Sequence, residues 1–114
     1  MIAVIFELDP QPGAAPRYFE LAAALKADLE SIDGFISVER FESLARPGRY
    51  LSLSFWRDEA AVRGWRCHGM HRRAQQEGRS EVLAGYRLRV ATVVRDYAML
   101  DRDQAPVDSR CALI

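Results

Sequence analysis

The chain has 114 residues, 49% apolar and 28% charged, with 16 basic side chains balancing 16 acidic ones. That length suits one domain with a modest core. The zero formal net charge excludes the basic excess of a general nucleic-acid binder and gives no pull toward an acidic membrane surface. Cys67 and Cys111 lack metal-type spacing and fit free thiols in a reducing, cytoplasmic setting. No apolar run approaches the roughly 20 residues of a membrane span, and Met1–Phe6 lacks the basic flank of a secretory signal. All basic residues except Lys26 are arginine, the better two-pronged partner for carboxylates; a high-GC genome is the blander explanation.

Ile2–Leu8 reads as the first strand. Ile2, Val4, Phe6 and Leu8 share one face, and Ala3, Ile5 and Glu7 the other. A strand apolar on both faces is normally covered on both. Helices in so small a domain cover one face, so a second copy of the chain is expected on the other. Asp9–Ala15, with two prolines and a glycine, reads as a loop. Pro16 is placed as a first helical residue. Tyr18, Leu21, Ala22, Leu25, Leu29 and Ile32 then follow at helical spacing, and Gly34 marks the end.

Phe35–Glu42 reads as a second strand of imperfect alternation. Tyr50–Trp56 reads as a third, with Leu51, Leu53 and Phe55 opposite Tyr50, Ser52, Ser54 and Trp56. The turn Arg46-Pro-Gly-Arg makes the pair a hairpin. Asp58 is placed as the N-cap of a second helix of about three turns. Gly64 and Gly69 weaken that helix; a break is expected near His68–Gly69, then a short helix to Glu77. Tyr86–Arg95 reads as the last strand, with Tyr86, Leu88, Val90, Thr92 and Val94 on one face.

The order strand, helix, strand, strand, helix, strand is the split βαβ arrangement. It predicts an α+β, ferredoxin-like sandwich: an antiparallel sheet with helices on one face. Residues 1–100 are read as the domain and 101–114 as a polar C-terminal tail.

Several local patterns carry a family resemblance: Asp33-Gly34-Phe35 before the second strand, Phe55-Trp56-Arg57-Asp58-Glu59 at the strand-to-helix junction, Trp65-Arg66, His71-Arg72-Arg73-Ala74, and Val94-Arg95-Asp96-Tyr97. With the element order, they make residues 1–100 similar to the antibiotic biosynthesis monooxygenase-like domains of the dimeric α+β barrel superfamily. The resemblance implies a homodimer whose two sheets close into a barrel, with a pocket between sheet and helices in each subunit. It implies a monooxygenase acting on a small aromatic, polyketide- or quinol-like compound without metal or flavin. A non-catalytic or ligand-sensing dimer is the alternative. Heme binding or degradation is a second alternative. The heme-degrading relatives carry a first-strand Asn and an axial His ten residues after a helix Trp. Here the first strand has no Asn, and the position ten after Trp65 is Gln75.

Within that frame, Trp65, Trp56, Phe6 and Phe55 are the expected pocket walls, since flat aromatic faces stack on a flat ligand; core packing is the plain alternative. His68 and His71, three apart on one helical face, are the candidate proton acceptors, because imidazole titrates near neutrality. Without a third ligand of clear spacing, no metal is expected. Arg72 is the candidate partner for a ligand carboxylate or phenolate, with a solvated helix face as its plain reading. The half-polar face of Tyr50, Ser52, Ser54 and Trp56 suits a ligand pocket or a wet subunit interface.

Overall fold

The computed structural model describes residues 1–68 and 81–109. The elements are β1 (Ile2–Pro10), α1 (Ala15–Ala24), α2 (Lys26–Glu30), β2 (Phe35–Glu42), β3 (Tyr50–Trp56), α3 (Glu59–Arg66) and β4 (Leu83–Thr92), followed by a single 3₁₀ turn at Val107–Ser109. The strands form a four-stranded sheet in the order β2-β3-β1-β4. Every pairing is antiparallel. This is the expected ferredoxin-like α+β sandwich, with β1 and β3 in the centre and the hairpin partner β2 at one edge. No helix among the described residues is long and apolar enough to cross a membrane.

Register builds the faces. Phe6 stands opposite Ser52 on β3 and Leu88 on β4, and Ser52 stands opposite Arg40 on β2. The next row on the same face is Val38, Ser54, Val4 and Val90. The imperfect alternation of β2 has a local cause: its register shifts between Phe35 and Ser37. Ile36 is the additional residue, and such a bulge re-aims the side chains that follow it.

The buried core gathers at one end of this face. Ile2, Leu29, Trp56 and Ala61 are buried together, with Val4, Ile32, Phe35, Val38, Val62 and Trp65 packed around them. α3 starts where the sequence places it: the Asp58 carboxylate accepts the Ala61 N–H at 2.9 Å, an N-cap bond. Arg57 ties this corner to the preceding loop, donating to Asp58 at 2.9 Å and to both carboxylate oxygens of Asp33 at 3.2 Å. Arg57 and the Ala61 N–H hold the Asp58 carboxyl below its ordinary range.

Five features differ from the sequence reading. The first helix is interrupted at Leu25, whose N–H reaches both Leu21 O and Ala22 O at 3.3 Å; this shared bond tightens the turn toward 3₁₀ geometry. β1 runs on to Pro10, because its register with β4 shifts between Asp9 and Pro10 and keeps Pro10 opposite Leu83. β4 therefore begins at Leu83 rather than Tyr86. It ends at Thr92 because its partner strand begins at Ile2. α3 ends at Arg66 with Cys67 as its C-cap, about two turns long rather than the expected three; the break expected near His68–Gly69 runs into residues outside those described. The short helix expected to follow, to Glu77, lies outside the described residues.

The opposite sheet face carries Ile5, Phe41, Leu51, Leu53 and Phe55, none of them fully buried. Glu7 sits among them between two arginines: its carboxylate accepts from Arg49 at 2.6 Å and from Arg89 at 2.7 Å, and Arg49 also reaches Asp9 at 3.1 Å. The Arg49 hydrogen bond, then the charges of Arg89 and Arg49, hold Glu7 below the ordinary carboxylate value of 4.5. A carboxyl with a depressed folded-state pKa adds stability above its unfolded value and loses it as pH falls through the folded one. Glu7→Gln is therefore expected to be less stable than the parent at neutral pH. The gap should close as pH falls below about 4.5, the ordinary value. Urea denaturation at a series of pH values reads this directly; a gap constant with pH would mean that the charge of Glu7 contributes nothing.

Candidate functional site

Between the helices and the Phe6 face of the sheet lies a cavity of about 460 Å³, within the range of small-molecule sites. β1 contributes Val4 and Phe6, β2 Val38 and Arg40, β3 Ser52, Ser54 and Trp56, and β4 Leu83, Tyr86, Leu88 and Val90. The roof comes from Tyr18, Leu21, Ala22 and Leu25 of the first helical segment, Leu29 of α2, and Val62, Trp65 and Arg66 of α3. The strand residues alternate, as one pleated face requires, except at Leu83, which lies beyond the β1–β4 register shift. The helix residues recur at three and four positions, as one helical face requires.

The walls are braced by edge-to-face aromatic pairs. The Phe6 ring meets Tyr86 with centroids 5.5 Å apart, and Phe35 meets Trp56 at 5.3 Å. Trp56 is 2% exposed, and its indole N–H donates to Ser54 Oγ at 2.9 Å. A serine hydroxyl that accepts a bond keeps its own proton to give. Ser54, itself buried, thus offers a donor inside a largely apolar chamber. Tyr18 and Ser52 add further hydroxyls.

Of the expected site residues, the fold brings Phe6, Trp56 and Trp65 together on the cavity wall. Phe55 is corrected: it pairs with Ala3 on β1 and stands between the cavity residues Ser54 and Trp56 along β3, so it faces away on the opposite side of the sheet. His68 does not line the cavity. Its ring stacks on Trp65 at 5.5 Å with 28° between planes, and its buried Nδ1 has no hydrogen-bond partner among the described residues. His71 and Arg72 lie outside the described residues.

Tyr18, Arg40, Arg66 and Tyr86 line the cavity without having been singled out. Strand parity gave a signal for Tyr86. Arg40 is obscured in the sequence by the β2 bulge, which shifts strand parity after Phe35. Among the described residues, no three His, Cys, Asp or Glu side chains gather as a metal site. The described lining also holds no histidine for a heme iron; His71, the other candidate, lies outside the described residues.

The matches to known proteins agree with this geometry. The chain spans about 43% of the length of the Pyricularia oryzae protein named jasmonate monooxygenase ABM, to which it is 50% identical over 93 residues, or 82% of its own length. It is 33% identical over 78 residues to the uncharacterised Bacillus subtilis protein YqjZ, covering 68% of this chain and 67% of that one. The solved structure of Rv0793 from Mycobacterium tuberculosis superposes with a TM-score of 0.74 at 19% identity, covering 83% of this chain and 96% of that one, which is a likeness of fold. The sequence model of the antibiotic biosynthesis monooxygenases matches residues 1–77, a stretch holding β1 to α3 and most of the cavity lining, and with the identity to the Pyricularia oryzae relative it makes this chain a member of that family.

Proposed function

We propose that the chain is a monooxygenase that oxidises a small, flat, largely apolar compound in this cavity without metal or flavin, and that it works as a homodimer. The supporting observation is the cavity itself: a 460 Å³ chamber with a predominantly apolar wall and a buried hydroxyl at Ser54. The named relative in Pyricularia oryzae is a monooxygenase, which favours the same reaction class.

The chemistry needs no outside reductant. A substrate CH₂ beside a carbonyl loses a proton, and the resulting electron-rich carbon gives electrons to dioxygen. A C–O bond forms and the O–O bond breaks. One oxygen atom ends as a new carbonyl and the other leaves as water with the two hydrogens of the CH₂. Trp56, Trp65 and Phe6 hold the ring and exclude water. The Ser54 proton stabilises the oxygen of the substrate enolate, a role preorganised donors fill well in a dry site. The homodimer follows from Ile5, Phe41, Leu51, Leu53 and Phe55, an apolar face that a single copy leaves incompletely covered.

Oxygen uptake with a panel of anthrone-like and naphthol-like compounds tests the reading, with light scattering on the same sample for the mass. The expected result is a dimer that consumes one O₂ per substrate and is indifferent to chelator. Trp65→Ala is expected to lower kcat/KM about tenfold, in line with the loss of a stacking wall. A clean null across the panel overturns the monooxygenase reading; saturable binding without uptake assigns the cavity to ligand sensing.

A further inference from the structure

The cavity is apolar in its body but one-sided in its charge. Among the described residues its lining holds two arginines, Arg40 on β2 and Arg66 at the end of α3, and no Asp or Glu. Arg49, Arg57 and Arg89 each meet a carboxylate elsewhere in the molecule. Arg40 and Arg66 meet none among the described residues.

Arg40 is partly oriented already. Its Nε donates to the Tyr18 hydroxyl at 3.4 Å, and its Cζ lies 6.0 Å from the centre of the Tyr18 ring. This contact engages one edge of the guanidinium. The two terminal nitrogens have no partner among the described residues, and they form the planar fork that suits a carboxylate. A positive charge at the border of a low-dielectric chamber also acts more strongly than the same charge in open water. Both arginines are solvent-exposed, so a charged head placed there keeps part of its hydration while its body is buried.

We propose that the ligand of this cavity is an amphipathic carboxylate: an apolar ring or chain packs against Phe6, Leu25 and Trp65, and its carboxylate takes the open fork of Arg40, with Arg66 adding positive potential from the opposite wall. This names the substrate class of the proposed monooxygenase and rests on the cavity being its ligand site.

The test is a matched pair of probes, 4-phenylbutyrate and its neutral amide, titrated while following tryptophan fluorescence. The chain has two tryptophans, and both line the cavity. The acid is expected to bind about tenfold or more tightly than the amide, with a preference that shrinks as salt is raised. Arg40→Met is expected to remove most of the preference while leaving amide binding in place. Arg40→Lys, which keeps the charge and loses the fork, is expected to restore only part of it. Equal binding of acid and amide by the parent protein overturns the proposal, as does absence of binding by both. A preference that survives in Arg40→Met also overturns it. If Arg40→Met fails to fold by circular dichroism, the acid–amide comparison in the parent and in Arg40→Lys decides. Binding is read without turnover, so the two ideas fail separately. A selective carboxylate site with no oxygen uptake removes the monooxygenase and keeps the anion site. Uptake with neutral substrates but no acid preference does the reverse.

Discussion

Trp56→Ala is expected to lower the unfolding free energy by about 3–5 kcal/mol, the range for removing a large aromatic from a packed core. Trp56 is 2% exposed and belongs to the buried cluster with Ile2, Leu29 and Ala61, where the sheet, α2 and α3 meet. The substitution removes the Phe35 ring contact at 5.3 Å and the donor to Ser54 at 2.9 Å. Domains of this kind are stable by about 5–15 kcal/mol in total, so the variant should be close to unfolding at room temperature. Trp56→Phe keeps the apolar bulk and loses the N–H; it is expected to cost less than half as much. Urea denaturation of the three proteins checks both figures. A loss below about 1 kcal/mol for Trp56→Ala, against that range, would show that the core is centred elsewhere.

Gly34→Ala is expected to be nearly as damaging, for two separable reasons. Gly34 has φ +91°, a left-handed conformation that costs a residue with a Cβ about 1–3 kcal/mol. An added Cβ would also stand 2.7 Å from the Cβ of Ala61, which is itself buried at 5% exposure. Overpacking of that kind adds about 1–3 kcal/mol. Gly48 supplies the control: its φ is +89°, and nothing lies within 4 Å of a Cβ built there. Gly48→Ala should therefore show the backbone cost alone. The excess of Gly34→Ala over Gly48→Ala measures the clash, and adding Ala61→Gly to Gly34→Ala should recover most of that excess. If the two glycine variants lose the same stability, the close approach of the β2 entry to α3 plays no part.

Gly34 also shows how much of this corner was legible in advance. The Asp33-Gly34-Phe35 pattern marked the end of a helix and the start of a strand, and Gly34 has the positive φ that such a stop often uses. What the pattern did not contain is the reason a larger residue fails there, because Ala61 arrives from 27 residues further along the chain. The Asp58 cap was legible for the opposite reason: the accepting carboxylate and the Ala61 N–H that donates to it lie three positions apart, so its chemistry is local.

By itself, the sequence determined the order of elements, the faces of the three best-patterned strands and the N-terminus of α3. Each follows from neighbours a few residues apart, through alternation of two in strands and 3.6 in helices. The tertiary structure alone decided which faces meet. Arg40, Ser52, Phe6 and Leu88 form one row only because four strands pair in one register, and the bulge after Phe35 puts Arg40 in it. The same register turns Phe55 away from the cavity and sets Glu7 between Arg49 and Arg89. A period is a property of one segment, whereas a cavity is a property of several, and its chemistry depends on registers set by side-chain packing across the whole sheet.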